Sequence, residues 1–413
     1  MRQFPATLLI ITSILQTSTF PQYAMADEST QKKNPISLTA NGLLSPQVKR
    51  GLSYLIDQQQ NNGGWSQGQE STFMGHADSK ITELANVGDT CMASLALMQT
   101  GNYPNSGEYS KNVNKAISFI CSKIENADNN SLSVTDLKGT RLQMKLGPYI
   151  DTFLASLALS EAKGHMLDKS GEQQVTAALN KVIGKIEKHE DENGQIASGG
   201  WAPVHAQAFA TMGLNRAKQA GIPVSDSALA RAENYAKNNF DGKTANFKSL
   251  GSPVPLYSAG ATLSELQESI NTNNKYEAEA KKILASRKSS RSDRELAQSK
   301  VDRFEAVKDS QKGAVDAVIS KLNDDGFMRG FGCNGGEEFL SYLEISETLE
   351  ANKSDKWEDW NKKITANLYH IQNNDGSWMG QHCITSRTFC TAAAILVLTA
   401  NREQSPVVKK LRA

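Results

Sequence analysis

Six side chains able to move a proton or hold a cation, Asp89, Asp151, His205, Tyr257, Glu337 and Glu338, stand at the heads of apolar, small-residue segments, and a fixed cation, Arg387, stands at the head of the last. Brought round one pocket, four carboxylates, an imidazole, a phenol and a guanidinium could do general acid–base work or bind a divalent ion. Each acid taken singly has a plainer role. A carboxylate near a helix start satisfies N–H groups that lack partners and meets the positive end of the helix dipole. The chemistry therefore depends on convergence, and convergence depends on the fold. Gly330, Gly332, Gly335 and Gly336 lead up to Glu337 and predict a tight, backbone-exposed loop. The sequence assigns no cofactor and no metal to the group.

The elements behind these residues repeat. Asp89-Thr90-Cys91-Met92-Ala93-Ser94-Leu95-Ala96-Leu97 is echoed by Asp151-Thr152-Phe153-Leu154-Ala155-Ser156-Leu157-Ala158-Leu159, and weaker copies begin near His205, Tyr257, Glu337 and Thr388. Each is apolar or small nearly all round, as befits a helix packed on both sides. Ahead of each lies an amphipathic segment such as Val48–Leu55 or Val113–Ile120, with apolar residues three and four apart and charges between them. Self-similarity at about 50 to 60 residues marks helix pairs that cannot bury their apolar faces alone. Six pairs can close on themselves, which predicts an all-α fold, an (α/α)6 toroid over residues 41–405. All inner helices would then run the same way and gather their N-termini at one mouth. Residues 274–312 interrupt the fifth repeat with 11 basic and 7 acidic side chains and no Gly or Pro, which predicts a charged helical hairpin broken near Ser289-Ser290.

The 45 basic and 44 acidic residues nearly cancel, so no global field points to nucleic acid. Arg2, the apolar run Thr7–Leu15 and Ala24-Met25-Ala26 fit a signal peptide over 1–26, followed by a loose polar tail over 27–40. The run is too short to span a bilayer. Export to the periplasm or beyond is expected, with no membrane anchor left after processing. The chain has five cysteines, so at least one is unpaired within the chain. Cys91 and Cys390 sit at equivalent inner-helix positions and read as small buried apolar residues. Cys333 and Cys383, in loops ahead of adjacent inner helices, are the candidate intramolecular pair.

Arg50-Gly51, Tyr54-Leu55, Gln59 and Gly63-Gly64-Trp65 resemble the repeat motif of squalene and oxidosqualene cyclases. Gln372, Gly376 and Trp378 keep its second half, and Gly199-Gly200-Trp201 its tail. By this resemblance the chain is similar to the terpenoid cyclase and protein prenyltransferase superfamily, whose fold is an (α/α)6 toroid. The resemblance also implies that the tryptophans clamp repeat to repeat. It does not carry the chemistry. In class II cyclases the middle Asp of Asp-x-Asp-Asp-Thr protonates an alkene, but the aligned stretch here is Asn86-Val87-Gly88-Asp89-Thr90, and glycine donates no proton. In prenyltransferases Asp, Cys and His hold zinc, whereas Glu337, Phe339 and Arg387 stand at those places. Gly332-Cys333-Asn334-Gly335-Gly336-Glu337 lacks the acceptor Gln of a complement-type thioester.

The expectation is thus an exported toroid that binds a hydrophobic, carbohydrate or protein ligand at its mouth, in a pocket polar at the rim and apolar within. One alternative is a divergent terpenoid cyclase or transferase taking its acid from Asp89, Asp151, Glu337 or Glu338. The low aromatic content, 7%, counts against the deep aromatic cavity that sheltering a carbocation requires. The other alternative is a polysaccharide lyase or hydrolase with paired carboxylates in an open groove.

Overall fold

The computed structural model describes residues 44–71, 79–196, 199–332 and 334–401, all within one compact unit, Pro35–Ala413. The segments expected to be a signal peptide (1–26) and a tail (27–40), together with Cys333, lie outside the described residues. In chain order the helices are α1 (Pro46–Gln58), α2 (Ser79–Thr82), α3 (Val87–Gln99), α4 (Ser110–Asn126), α5 (Arg141–Leu146), α6 (Ile150–Ala162), α7 (Lys169–His189), α8 (Pro203–Gln219), α9 (Asp226–Asn238), α10 (Pro255–Ala285), α11 (Arg291–Ile319), α12 (Asp325–Met328), α13 (Gly336–Ala351), α14 (Trp357–His370) and α15 (Arg387–Leu398). A two-residue hairpin pairs Phe240 with Phe247 and Asp241 with Asn246.

The chain is an all-α, (α/α)6 toroid. α3 packs on α6, α6 on α8, α8 on α10, α10 on α13, α13 on α15, and α15 returns to α3. Around this ring lie α4, α7, α9, α11, α14 and α1, the last set against α15. Every residue from Val87 to Met98 in α3 is buried, whereas α1 buries only Val48, Gly51, Leu52 and Leu55. The charged segment is housed as an extension of α10 and α11, of 31 and 29 residues, with the break at 286–290. Its polar faces pair with each other, as in Lys308 with Glu277 at 2.6 Å. Among the described residues no helix is long and apolar enough to cross a membrane.

The repeats are joined by one device used three times. Trp65 donates its indole N–H to the Leu55 carbonyl at 2.6 Å, one of the last-turn carbonyls a helix leaves without a partner. Trp378 does the same to Leu368 at 2.7 Å. Both rings are fully buried. Gln59 donates to its own turn at Gly63 and to Asn112 at the start of the next outer helix. Gln372 donates to Gly376 and to Gln47 in α1, which ties the last repeat to the first. The turn glycines Gly63 and Gly376 have φ of +90°, and a Cβ there would lie 2.5–2.6 Å from the carbonyl of Lys115 or Arg50.

The third copy is not the Gly-Gly-Trp read from the sequence. Gly194, with φ of +85° and the Arg231 carbonyl 2.3 Å from where its Cβ would be, occupies the turn. Glu190, holding Arg231 at 2.6 Å, stands at the Gln place, and buried Ile196 at the Trp place. Trp201 is therefore not a clamp. It is 36% exposed and meets Phe331, itself 52% exposed, edge to face at 5.8 Å.

Candidate functional site

Parallel inner helices bring their first turns together at one end of the ring. Asp89 lies in the first turn of α3, and its own N–H bonds to Oδ1 of the N-cap Asn86. Asn86 Nδ2 returns a bond to Asp89 Oδ2 at 2.8 Å, and Ser386 donates weakly to Oδ1 at 3.5 Å. Burial, against these bonds, lifts the Asp89 carboxyl to about 7. Asp151, at the start of α6, accepts from the Gly88 N–H at 2.9 Å and from Gln143 at 2.8 Å. Asp151 thus caps the start of α3, whereas Asp89 leaves that role to Asn86 and is held by side chains. Burial raises Asp151 as well. The cyclase acid is missing here, and a Cβ at position 88 would lie 2.8 Å from a methyl of Leu142, which would have to shift.

Across the ring, Glu338 is the most heavily bonded acid of the group. Tyr257 donates to Oε1 at 2.5 Å and the Phe331 N–H to the same oxygen at 2.9 Å. The Gly335 N–H reaches Oε2 at 2.9 Å, and His382 Nε2 lies 3.1 Å from it. The loop glycines permit this closeness, since a Cβ at Gly335 would sit 2.8 Å from His382 Cε1. Glu337, beside it and wholly buried, accepts the Ile384 N–H through Oε2 at 3.1 Å. Its Oε1 has no hydrogen-bond partner among the described residues. Burial first, and the neighbouring Glu338 second, push Glu337 to about 7. The Tyr257 phenol is likewise driven far up by burial and by Glu338.

The sequence-derived group is gathered only in part. Asp89, Asp151, Tyr257, Glu337 and Glu338 share the inner end of the ring. His205 points deeper, bonding Glu344 of α13 through Nδ1 at 3.0 Å, with its ring 5.3 Å from that of Tyr257. Arg387 leaves the group. It pairs outward with Asp375 at 2.5 Å, beside Tyr54. A guanidinium that does feel Glu337 is that of Arg141, gripped by both oxygens of Glu70 at 2.9 Å. Nothing in the sequence joins these two residues, which stand 71 apart. The adjacent His382 and Cys383, both buried, were readable only as loop residues ahead of the sixth inner helix. Cys91 and Cys390 are buried in α3 and α15, with thiols raised well above their ordinary value by burial. The suggested Cys333–Cys383 bridge lies outside the described residues at Cys333.

Beneath this layer the ring is not apolar, contrary to the expectation from the sequence. Thr211 donates to Glu265 at 3.2 Å, and burial lifts Glu265 to about 8. Lower still, Arg216 holds Glu268 at 2.9 Å and Glu347 at 3.4 Å. A small cleft lined by Met212, Gln267, Glu268 and Glu347 opens at that opposite end. A lumen filled with hydrogen-bonded carboxylates cannot double as a greasy chamber for a carbocation.

No known family's sequence profile matches the chain, and no curated protein matches it. Among solved structures it is similar to one described as a novel alpha-amylase from Clostridium perfringens, with a TM-score of 0.47 and 11% identity. The match covers 86% of this chain and 98% of that one. At that distance the likeness says nothing about chemistry.

Proposed function

We propose that this is an exported toroid of the squalene cyclase-like repeat family that binds an amphiphilic ligand at its inner-helix mouth without cyclising it. The observation that carries this reading is the exposed aromatic pair Trp201–Phe331 set directly over buried hydrogen-bonding groups. The Phe331 ring lies 5.1 Å from that of His382, and its backbone N–H bonds Glu338. Trp201 is pinned by its own N–H to the Lys145 carbonyl of α5 at 2.7 Å. Next to Lys145, Met144 is 44% exposed. Large aromatic side chains partly exposed beside a polar cluster are what a contact surface requires. Export and cleavage after Ala26 belong to the same proposal, as does a toroid domain over 41–405. The missing proton donor at Gly88 and the polar lumen support the absence of cyclase chemistry. Phe339 and Arg387, at two of the three prenyltransferase zinc-ligand positions, support the absence of that transfer.

The test is intrinsic fluorescence of the full chain titrated with farnesol, and with maltohexaose as the carbohydrate comparison. Saturable quenching by farnesol, lost in Trp201→Ala and Phe331→Ala while thermal stability is unchanged, is the expected result. Binding that survives both substitutions, or no saturable change with farnesol, overturns the reading. Saturation by maltohexaose alone transfers the site to the polysaccharide alternative.

A further inference from the structure

We infer that Glu337, His382 and Cys383 form a binding site for one zinc-like, borderline-soft divalent ion. It deepens the reading above by placing an ion in the floor of the same mouth. A carboxylate oxygen of Glu337, a ring nitrogen of His382 and Sγ of Cys383 all lie within 4.8 Å of one another, and all three residues are buried. A tetrahedral ion with bonds of about 2.0–2.3 Å holds its donors roughly 3.5 Å apart, so an adjustment of about an ångström brings all three onto one ion.

Three features beyond proximity point to an ion. Glu337 is the only one of the four mouth acids with an oxygen that has no hydrogen-bond partner among the described residues. Asp89, Asp151 and Glu338 are occupied by hydrogen bonds, whereas Oε1 of Glu337 is buried with none. A buried carboxylate oxygen left unpaired is costly, and a bound cation removes that cost. Second, His382 already has a carboxylate partner of the kind a metal-bound histidine has. Its Nε2 faces Glu338 at 3.1 Å, which leaves Nδ1 with the lone pair in the neutral tautomer. A carboxylate behind a histidine fixes the ring and raises its basicity towards the ion. Third, the charges balance. One carboxylate and one thiolate neutralise a divalent ion, so the filled site would be neutral in a place from which water is excluded. Arg141 is near enough to feel both Cys383 and Glu337, but its hydrogen bonds go to Glu70.

One nitrogen, one sulfur and one oxygen donor favour zinc over calcium or magnesium, which take oxygen shells. Three protein ligands leave a fourth position, and the aromatic pair stands above it. The donors differ from those implied by the prenyltransferase resemblance. Two of the three come from the loop between Trp378 and α15, while Phe339 and Arg387 occupy the places where that family's Cys and His would stand.

The experiment uses the full chain, stripped with a chelator and titrated with Co(II), with no organic ligand present. The expected result is one Co(II) per chain with a thiolate-to-cobalt charge-transfer band in the near ultraviolet. Cys383→Ser should abolish that band with helical circular dichroism unchanged. Glu338→Gln, which loosens His382 without touching the ion, should weaken Co(II) about 10–100-fold. A folded wild type without the band, a band that persists in Cys383→Ser, or unreduced peptides linking Cys383 to Cys333 would each overturn the site. Since the readout is the ion alone, its failure leaves farnesol binding at Trp201 standing, and loss of farnesol binding leaves the ion site standing.

Discussion

Replacing Trp65 with alanine should unfold the toroid long before replacing Trp201 does, although the sequence presents both tryptophans in the same Gly-Gly-Trp frame. Trp65 is fully buried between α1 and the ring, and its N–H satisfies the Leu55 carbonyl at 2.6 Å. Truncation removes the indole and leaves a cavity that the surrounding helices cannot wholly fill, which costs about 3–5 kcal/mol. The Leu55 carbonyl, deprived of its partner in a dry site, adds up to about 1–3 kcal/mol where water cannot replace the indole. Trp201 is 36% exposed and bonds the body of the protein through its backbone N–H, which alanine keeps. Its truncation should cost less than about 1 kcal/mol. Urea unfolding followed by far-ultraviolet circular dichroism reads both. The expectation is a large drop in midpoint for Trp65→Ala and Trp378→Ala and nearly none for Trp201→Ala. Equal losses for Trp65 and Trp201, or no loss for Trp65, would refute the assignment of clamp and contact residue.

Asp89 makes stability depend on pH. Its folded pKa, about 7, lies above the ordinary 3.8, so its contribution is fully present below pH 4 and is lost as pH rises through about 7. At about 1.4 kcal/mol per tenfold change in the proton equilibrium, that displacement is worth up to about 4 kcal/mol. Asp89→Asn keeps the bond from Asn86 and carries no charge, so it should gain stability over wild type at pH 8 and little at pH 4; a loss at both, in urea titrations, refutes this. N-terminal sequencing of the exported protein should begin at Asp27, and a mature chain retaining Met1 contradicts the signal peptide. Incubation with squalene and gas chromatography of the extract should show no polycyclic product, and a product lost in Asp89→Asn would make Asp89 an acid after all.

The ring was legible because its pattern is chemical. Inner helices that bury both flanks must be apolar and small all round, and the echo between residues 89–97 and 151–159 is visible by eye. The copy at Gly194 was not legible, because Glu190 and Ile196 keep the packing with different side chains, while Gly199-Gly200-Trp201 offered a better spelling in the wrong place. At the mouth, acids were found because first-turn carboxylates are a local signal. Their partners were not, because Arg141 with Glu70 and His382 with Glu338 are joined only by the closure of the ring. Arg387 was misplaced for the same reason. Its position in α15 follows from the sequence, but its rotamer follows from Asp375, which draws it outward.

Which end of the ring is used can be measured without knowing the ligand's fate. Hydrogen–deuterium exchange of the full chain, with and without saturating farnesol, compares the mouth with the opposite cleft in one experiment. The account predicts slowed exchange in 199–205 and 327–338, with no change in 212–219, 264–271 and 344–351. Protection confined to those last three segments, around Met212, Glu268 and Glu347, would contradict it and move the functional site to the other end of the toroid.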